Sequence, residues 1–244
     1  MPTLSFQKAI QPIRDWFLDL ALPKECIGKC GSDSSYFCID CLWKVNLAGT
    51  QACPSCNVKN FWGTVCNTDI CLNSNHINQL LVVCDYHQNR QISEAIHIFK
   101  YRFAQELGHN LAVLMVKKFW HFFSTNRIVF VPVPLHQKRL MFRGFNQAEV
   151  LAHHLSALTG HPSMELLKRI KYSKPQAELD GAQRRKNLKE AFQINIMPPT
   201  NATIVLVDDV FTTGSTLNEC AKTLKSNGVE WITALTLARS SPGS

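Results

Sequence analysis

Eight of the chain's ten cysteines fall in four close pairs within its first third: Cys26-x3-Cys30, Cys38-x2-Cys41, Cys53-x2-Cys56 and Cys66-x4-Cys71. Each spacing is that of a knuckle, a tight turn that aims two thiolates at one ion. Two such pairs complete a tetrahedral four-thiolate shell for zinc. The surrounding segment is rich in Gly, Ser and Asn and has few aliphatic runs, so burial alone cannot fold it. Two structural Zn2+ ions are therefore expected, with no open coordination position for catalysis. Sequential pairing puts Cys26, Cys30, Cys38 and Cys41 on one ion and Cys53, Cys56, Cys66 and Cys71 on the other. A crossed pairing stays open, and the wider last spacing lets His76 stand in for a ligand. A disulfide scaffold is the alternative to metal, disfavoured for a cytosolic chain. Cys84, in an apolar run, and Cys220, in a helical stretch, read as buried small hydrophobes.

From about residue 80 the character changes. QLLVVCDYHQ reads as two short strands or a hairpin. The following segment carries Ile92, Ile96 and Phe99, then Leu107, Leu111 and Leu114, at helical spacing, with a break expected at Arg102-Phe103. RIVFVPVP is a buried strand ended by prolines, and GFNQAEVLAHHLSALTG a helix stopped by Gly160. MELLKRI is a strand candidate. ATIVLVDD and WITALTLAR are further buried strands, with the helix GSTLNECAKTLKSNG between them. Strands alternating with helices predict a doubly wound, mainly parallel α/β sheet. The expected organisation is an N-terminal amphipathic helix over 1–21, a double zinc ribbon over 22–78 and the sheet domain over 79–244.

No run reaches the ~20 apolar residues needed to cross a bilayer. The best candidate, LAVLMVKKFWHFF, is split by Lys117 and Lys118, and the N-terminus does not read as a signal peptide. The formal charge of +8 favours polyanionic partners, among them nucleic acid, polyphosphate ligands and an anionic membrane surface, without excluding a merely soluble basic protein.

The stretch IVLVDDVFTTGSTL holds the chemistry. A strand entering a Gly/Ser/Thr loop ahead of a helix converges backbone N–H groups and hydroxyls on an anion. Thr212, Thr213, Gly214, Ser215 and Thr216 are the candidates to hold a phosphate. Neither GxxxxGK[ST] nor GxGxxG occurs, which argues against a nucleoside-triphosphate loop and a dinucleotide fold. Asp208 and Asp209 fit the same ligand if it is a sugar phosphate, because carboxylates accept from vicinal ribose hydroxyls. An acidic turn that caps a helix is the plain structural alternative.

This stretch resembles the phosphoribosyl-pyrophosphate (PRPP) signature of type I phosphoribosyltransferases. The resemblance implies that Asp208 and Asp209 hold the ribose 2′- and 3′-hydroxyls, that Thr212 to Thr216 hold the 5′-phosphate, and that Mg2+ sits on the pyrophosphate and ribose oxygens. Together with the cysteine pairs, IFKYRF, VPVPLHQKRLMFRGFNQA, KPQAELDGAQRRKNLKEAF and the terminal LAR, it resembles one subfamily, the ComF/GntX-type proteins of DNA uptake. In these a double zinc ribbon precedes a phosphoribosyltransferase domain. Lys138, Arg139 and Arg143 are then candidates to receive pyrophosphate. Arg184 and Arg185, in a stretch resembling the family's mobile hood, either neutralise pyrophosphate, bind nucleic acid or stay solvated. Lys100 either reaches the site or stays solvated, the second being commoner for a helical lysine. Asn146 and Gln147 are expected to fix the loop onto its helix.

Three functions follow. The first is a PRPP-binding competence protein that helps move single-stranded DNA across the inner membrane from the cytoplasmic side, alongside helicase or translocation proteins. It would be cytoplasmic, with the inner face of the membrane as one place for it, and Phe142, Phe145, Trp43 and Trp62 as candidates to stack bases. The second is an active phosphoribosyltransferase on an unidentified base or nucleotide, and the third a regulatory or docking module without catalysis.

Overall fold

A computed structural model describes residues 25–32, 35–101, 104–171, 190–200 and 202–240, without the side chains of Tyr101 and Phe142. The expected helix over 1–21, the break at Arg102-Phe103 and the hood with Arg184 and Arg185 lie outside the described residues. The chain forms two compact units, Met1–Val45 and Asn46–Ser244, so one four-cysteine group lies in each.

In the first unit the described regular element is the short helix α1 (Ile39–Lys44), which follows directly on Cys38 and carries Cys41. The second unit begins with the other four paired cysteines and a short helix α2 (Asp69–Ser74), at whose start the Thr68 side chain accepts Cys71 N–H.

Four strands of the second unit make one sheet in the order β1 (Gln79–Asp85), β6 (Ile232–Arg239), β5 (Thr203–Phe211) and β2 (Ile128–Pro132). All neighbours are parallel. A parallel sheet is buried on both faces, hence the unbroken apolar runs in these strands; every residue of β2 and β6 is buried. QLLVVCDYHQ is therefore neither hairpin nor strand pair. β1 ends at Asp85, and the chain turns directly into helix α3 (Arg90–Tyr101).

Helix α4 (Leu107–Thr125) follows α3, with Phe119 out of helical geometry, and the apolar residues expected to face the core on both helices are buried. Lys118, which splits the most apolar run, is drawn inward. Its ammonium donates to the carbonyls of Leu47 (2.7 Å), Gly49 (3.2 Å) and Val83 (2.7 Å), and burial lowers its pKa to about 8. After β2 comes a short helix unforeseen in the sequence, α5 (Gln137–Arg143), then α6 (Gln147–Thr159), closed by Gly160 as expected. MELLKRI supplies strand β3 (Leu167–Arg169), paired antiparallel with β4 (Phe192–Ile194). Helix α7 (Ser215–Lys225) joins β5 to β6.

Both edges of the sheet are covered. The second cysteine segment bonds to the free side of β1: Leu80 N–H donates to Gly63 O at 2.8 Å, and the Gln51 amide exchanges two bonds with the Val82 backbone. On β2, Phe130 N–H donates to Pro162 O and Met164 N–H to Phe130 O. Uncovered edge strands invite pairing with other chains, so these contacts protect the sheet. Its carboxyl ends then remain as the place where loops gather, the usual ligand side of such a sheet.

Candidate functional site

β5 delivers the acid pair to that side. Asp208 stands in register with Thr236 of β6, and the strand ends at Phe211, opposite Arg239. The next residues swing into α7 through Gly214, whose φ of +69° lies in the left-handed region. A Cβ on Gly214 would also stand 2.5 Å from the Phe211 ring, so both backbone and space call for glycine. Thr213 and Ser215 exchange a hydroxyl bond at 2.9 Å. Thr212 to Thr216, with Asp208, line a small recess at the head of α7.

This recess adjoins a cleft of about 330 Å3 that Asp208, Thr212 and Thr216 line as well. Asp209 lines the cleft, joined by Lys100 from α3, Arg139 and Arg143 from α5, and Arg169 from β3. Four cations thus face two acids. Lys138 is exposed and does not line the cleft, whereas Arg139 and Arg143 do. The short helix α5 decides this, since its turns point successive side chains in different directions.

Lys100 is not solvated. Its ammonium sits 2.9 Å from Asp209 Oδ2, and although burial works against its charge, Asp209 outweighs this and raises its pKa. The Asp208 carboxylate folds back to accept Asp209 N–H at 2.9 Å. Burial, then the adjacent Asp209, push the Asp208 carboxyl up to about 7, while that N–H, Lys100 and Arg143 pull the other way. Asp208 therefore changes charge near neutrality.

The loop after β2 is pinned by two side chains in the manner expected. Asn146 caps α6 by accepting Ala148 N–H and donates to Val133 O at 3.1 Å. Gln147 accepts from Arg143 Nη1 at 3.1 Å and donates to Phe99 O at 3.5 Å. Sequence reasoning missed Arg169. Its guanidinium lies 5.4 Å from the Phe192 ring centroid, and burial, then Arg139, lower its pKa. Its place beside Lys168 near the end of the strand candidate MELLKRI was the available signal. Phe145 is only 7% exposed and packs on Phe99, so it belongs to the core and is not a platform for bases; Trp43 and Trp62 are exposed.

Each cysteine group brings four Sγ atoms within 4.8 Å of one another, and the groups are the sequential ones, without His76. None of the ten cysteines is in a disulfide, and Cys84 and Cys220 are buried in the apolar interior. Gly28 belongs to the first knuckle, where a Cβ would come 2.3 Å from Cys41 Sγ. Crowding by neighbouring thiols pushes Cys41 and Cys66 up to about 12. Four sulfurs so close are stable as thiolates only around a cation, and the all-sulfur donor set fits tetrahedral zinc. Among the described residues no helix is long and apolar enough to cross a membrane.

Comparison with known proteins agrees with this geometry. Residues 142–243 match the phosphoribosyl transferase domain family. The chain is 32% identical over 225 residues to competence protein F of Haemophilus influenzae, covering 84% of this chain and 97% of that protein. It is 34% identical over 166 residues to the DNA utilization protein YhgH of Escherichia coli, covering 66% and 72%. With competence protein ComFC of Bacillus subtilis it shares 27% identity over 208 residues, covering 83% and 84%.

Proposed function

We propose, from the premise that this chain belongs to the ComF-type competence-protein family and carries a phosphoribosyltransferase domain, that it binds PRPP in the cleft at the end of β5 and serves the uptake of DNA. One observation carries the reading: the acid pair, the Thr/Ser loop and four cations converge on a single cleft and its recess. Asp208 and Asp209 accept from the ribose hydroxyls, and Thr212, Thr213, Gly214, Ser215 and Thr216 enclose the 5′-phosphate. Lys100, Arg139, Arg143 and Arg169 face the pyrophosphate, where charge-assisted bonds are the strong ones.

Mg2+ bound together with PRPP would neutralise charge on the phosphate groups that Lys100, Arg139, Arg143 and Arg169 face. The donor set fits that division, since the protein supplies cations for the phosphates and keeps its carboxylates beside the sugar. The two cysteine groups hold one structural zinc each. The wider role, aiding single-stranded DNA through the inner membrane from its cytoplasmic face, is supported by relatives named for competence and DNA utilization and by the charge of +8.

Isothermal titration of PRPP with Mg2+ tests the binding. Wild type is expected to give saturable heat that Asp208→Asn/Asp209→Asn abolishes while its far-ultraviolet circular dichroism stays native. No heat with wild type sinks the proposal. For the wider role, a deletion strain is expected to lose transformation and the double variant to fail to restore it. Normal transformation in the deletion strain would overturn that part alone.

A further inference from the structure

The Phe211 ring has a second neighbour besides Gly214: the Arg239 guanidinium lies 5.1 Å from its centroid. Arg239 ends β6 and lines another cavity, of about 200 Å3, where the second cysteine segment meets the carboxyl ends of β1 and β6. Around it stand Thr50 and Lys59 from the cysteine segment, Asp85 at the end of β1, and His87 and Gln88 from the turn that follows.

Arg239 is only 5% exposed, and its Nη1 has no hydrogen-bond partner among the described residues. Burial, its largest cost, lowers the Arg239 pKa, while Asp85 offsets part of this. Asp85 Oδ2 is itself engaged, accepting from Thr50 Oγ1 at 3.3 Å. A buried guanidinium donor without an acceptor is rare in native proteins and marks a place where a further group belongs. The PRPP cleft does not account for it, because that cleft is lined by neither Arg239 nor Lys59.

We propose that this cavity is a second phosphate-binding site, one that takes the phosphate of a nucleotide or of a nucleic-acid backbone. A guanidinium's planar fork suits two oxygens of a phosphate, and Lys59 adds a compact positive charge from the rim. The Gln88 amide can donate to a further oxygen, and a phosphate offers these donors more acceptor oxygens than a carboxylate does. Arg239 and Lys59 against Asp85 leave the walls net positive. The site joins the cysteine segment and the sheet around one ligand, since Thr50 and Lys59 come from the former and Arg239 from the latter.

Side-chain 1H–15N spectra of the intact zinc-loaded chain read the site directly, with the Arg239 Nε–Hε resonance assigned by Arg239→Lys. Inorganic phosphate is expected to move that resonance saturably in wild type and about tenfold more weakly in Lys59→Glu, as loss of a rim charge dictates. Lys59 is exposed, so this variant keeps the fold even where replacing Arg239 does not. No movement with phosphate overturns the site. Movement undiminished in Lys59→Glu overturns it too, because the signal then comes through Phe211 from the loop at Gly214. Thymidine 5′-monophosphate and an oligothymidylate, titrated separately, identify the source. Equal affinity supports a free nucleotide, and tighter binding of the oligomer supports a strand.

Discussion

Lys100 and Asp209 form an ion pair of 2.9 Å between the end of α3 and the end of β5, with the two side chains 21% and 11% exposed. The pair binds a helix to the strand that carries the candidate site and leaves the Asp209 charge compensated before any ligand arrives. Removing one partner leaves the other charge poorly solvated. Lys100→Met is expected to destabilise the fold by about 1–3 kcal/mol, below the range for fully buried pairs because both groups retain some water. Urea denaturation measures it. Lys100→Met/Asp209→Asn is expected to recover part of the loss, a positive coupling in a double-mutant cycle.

The Asp208 carboxyl, raised to about 7, makes both stability and binding depend on pH. An unfolded aspartate loses its proton near 4. Between about 4 and 7 the folded state therefore holds the extra proton, and stability attributable to Asp208 falls as pH rises through that window. Asp208→Asn is expected to flatten that slope in pH-dependent denaturation. Binding runs the opposite way. A carboxylate accepts ribose hydroxyls better than a carboxylic acid, so PRPP affinity is expected to rise from pH 6 to pH 8 in wild type and to lose that dependence in the variant.

Gly214→Ala tests the loop. The new methyl meets both a φ of +69° and the Phe211 ring at 2.5 Å. The expected cost is about 1–3 kcal/mol of stability, with PRPP heat lost even under conditions where the variant is folded. Thermal melts and titration on the same sample separate the two effects.

The cysteine groups lie in different compact units, so their metals are expected to be lost one at a time. Cys26→Ser and Cys53→Ser should each lower zinc from two ions per chain to one, measured by elemental analysis. Only Cys53→Ser is expected to promote aggregation, because the segment it holds covers the free edge of β1.

Much of this was legible along the chain. Apolar runs gave β2, β5 and β6 because a strand buried on both faces has no polar alternation to obscure it. Cysteine spacing gave the two ligand groups, since a knuckle is a local structure. The acids and the Thr/Ser loop were readable because a strand, a turn and a helix start within one contiguous stretch. What only the tertiary structure decided comes from distant segments. Lys100 reads as one more helical lysine until α3 packs its end against β5, and Arg169 as a strand-end arginine until β3 brings it to the cleft. Arg239 Nη1 becomes a buried donor, without a partner among the described residues, only when β6 lies between β1 and β5. Local sequence specifies which groups an element carries. The environment that makes a charge costly or useful is built by elements far apart in the chain, and burial sets its strength.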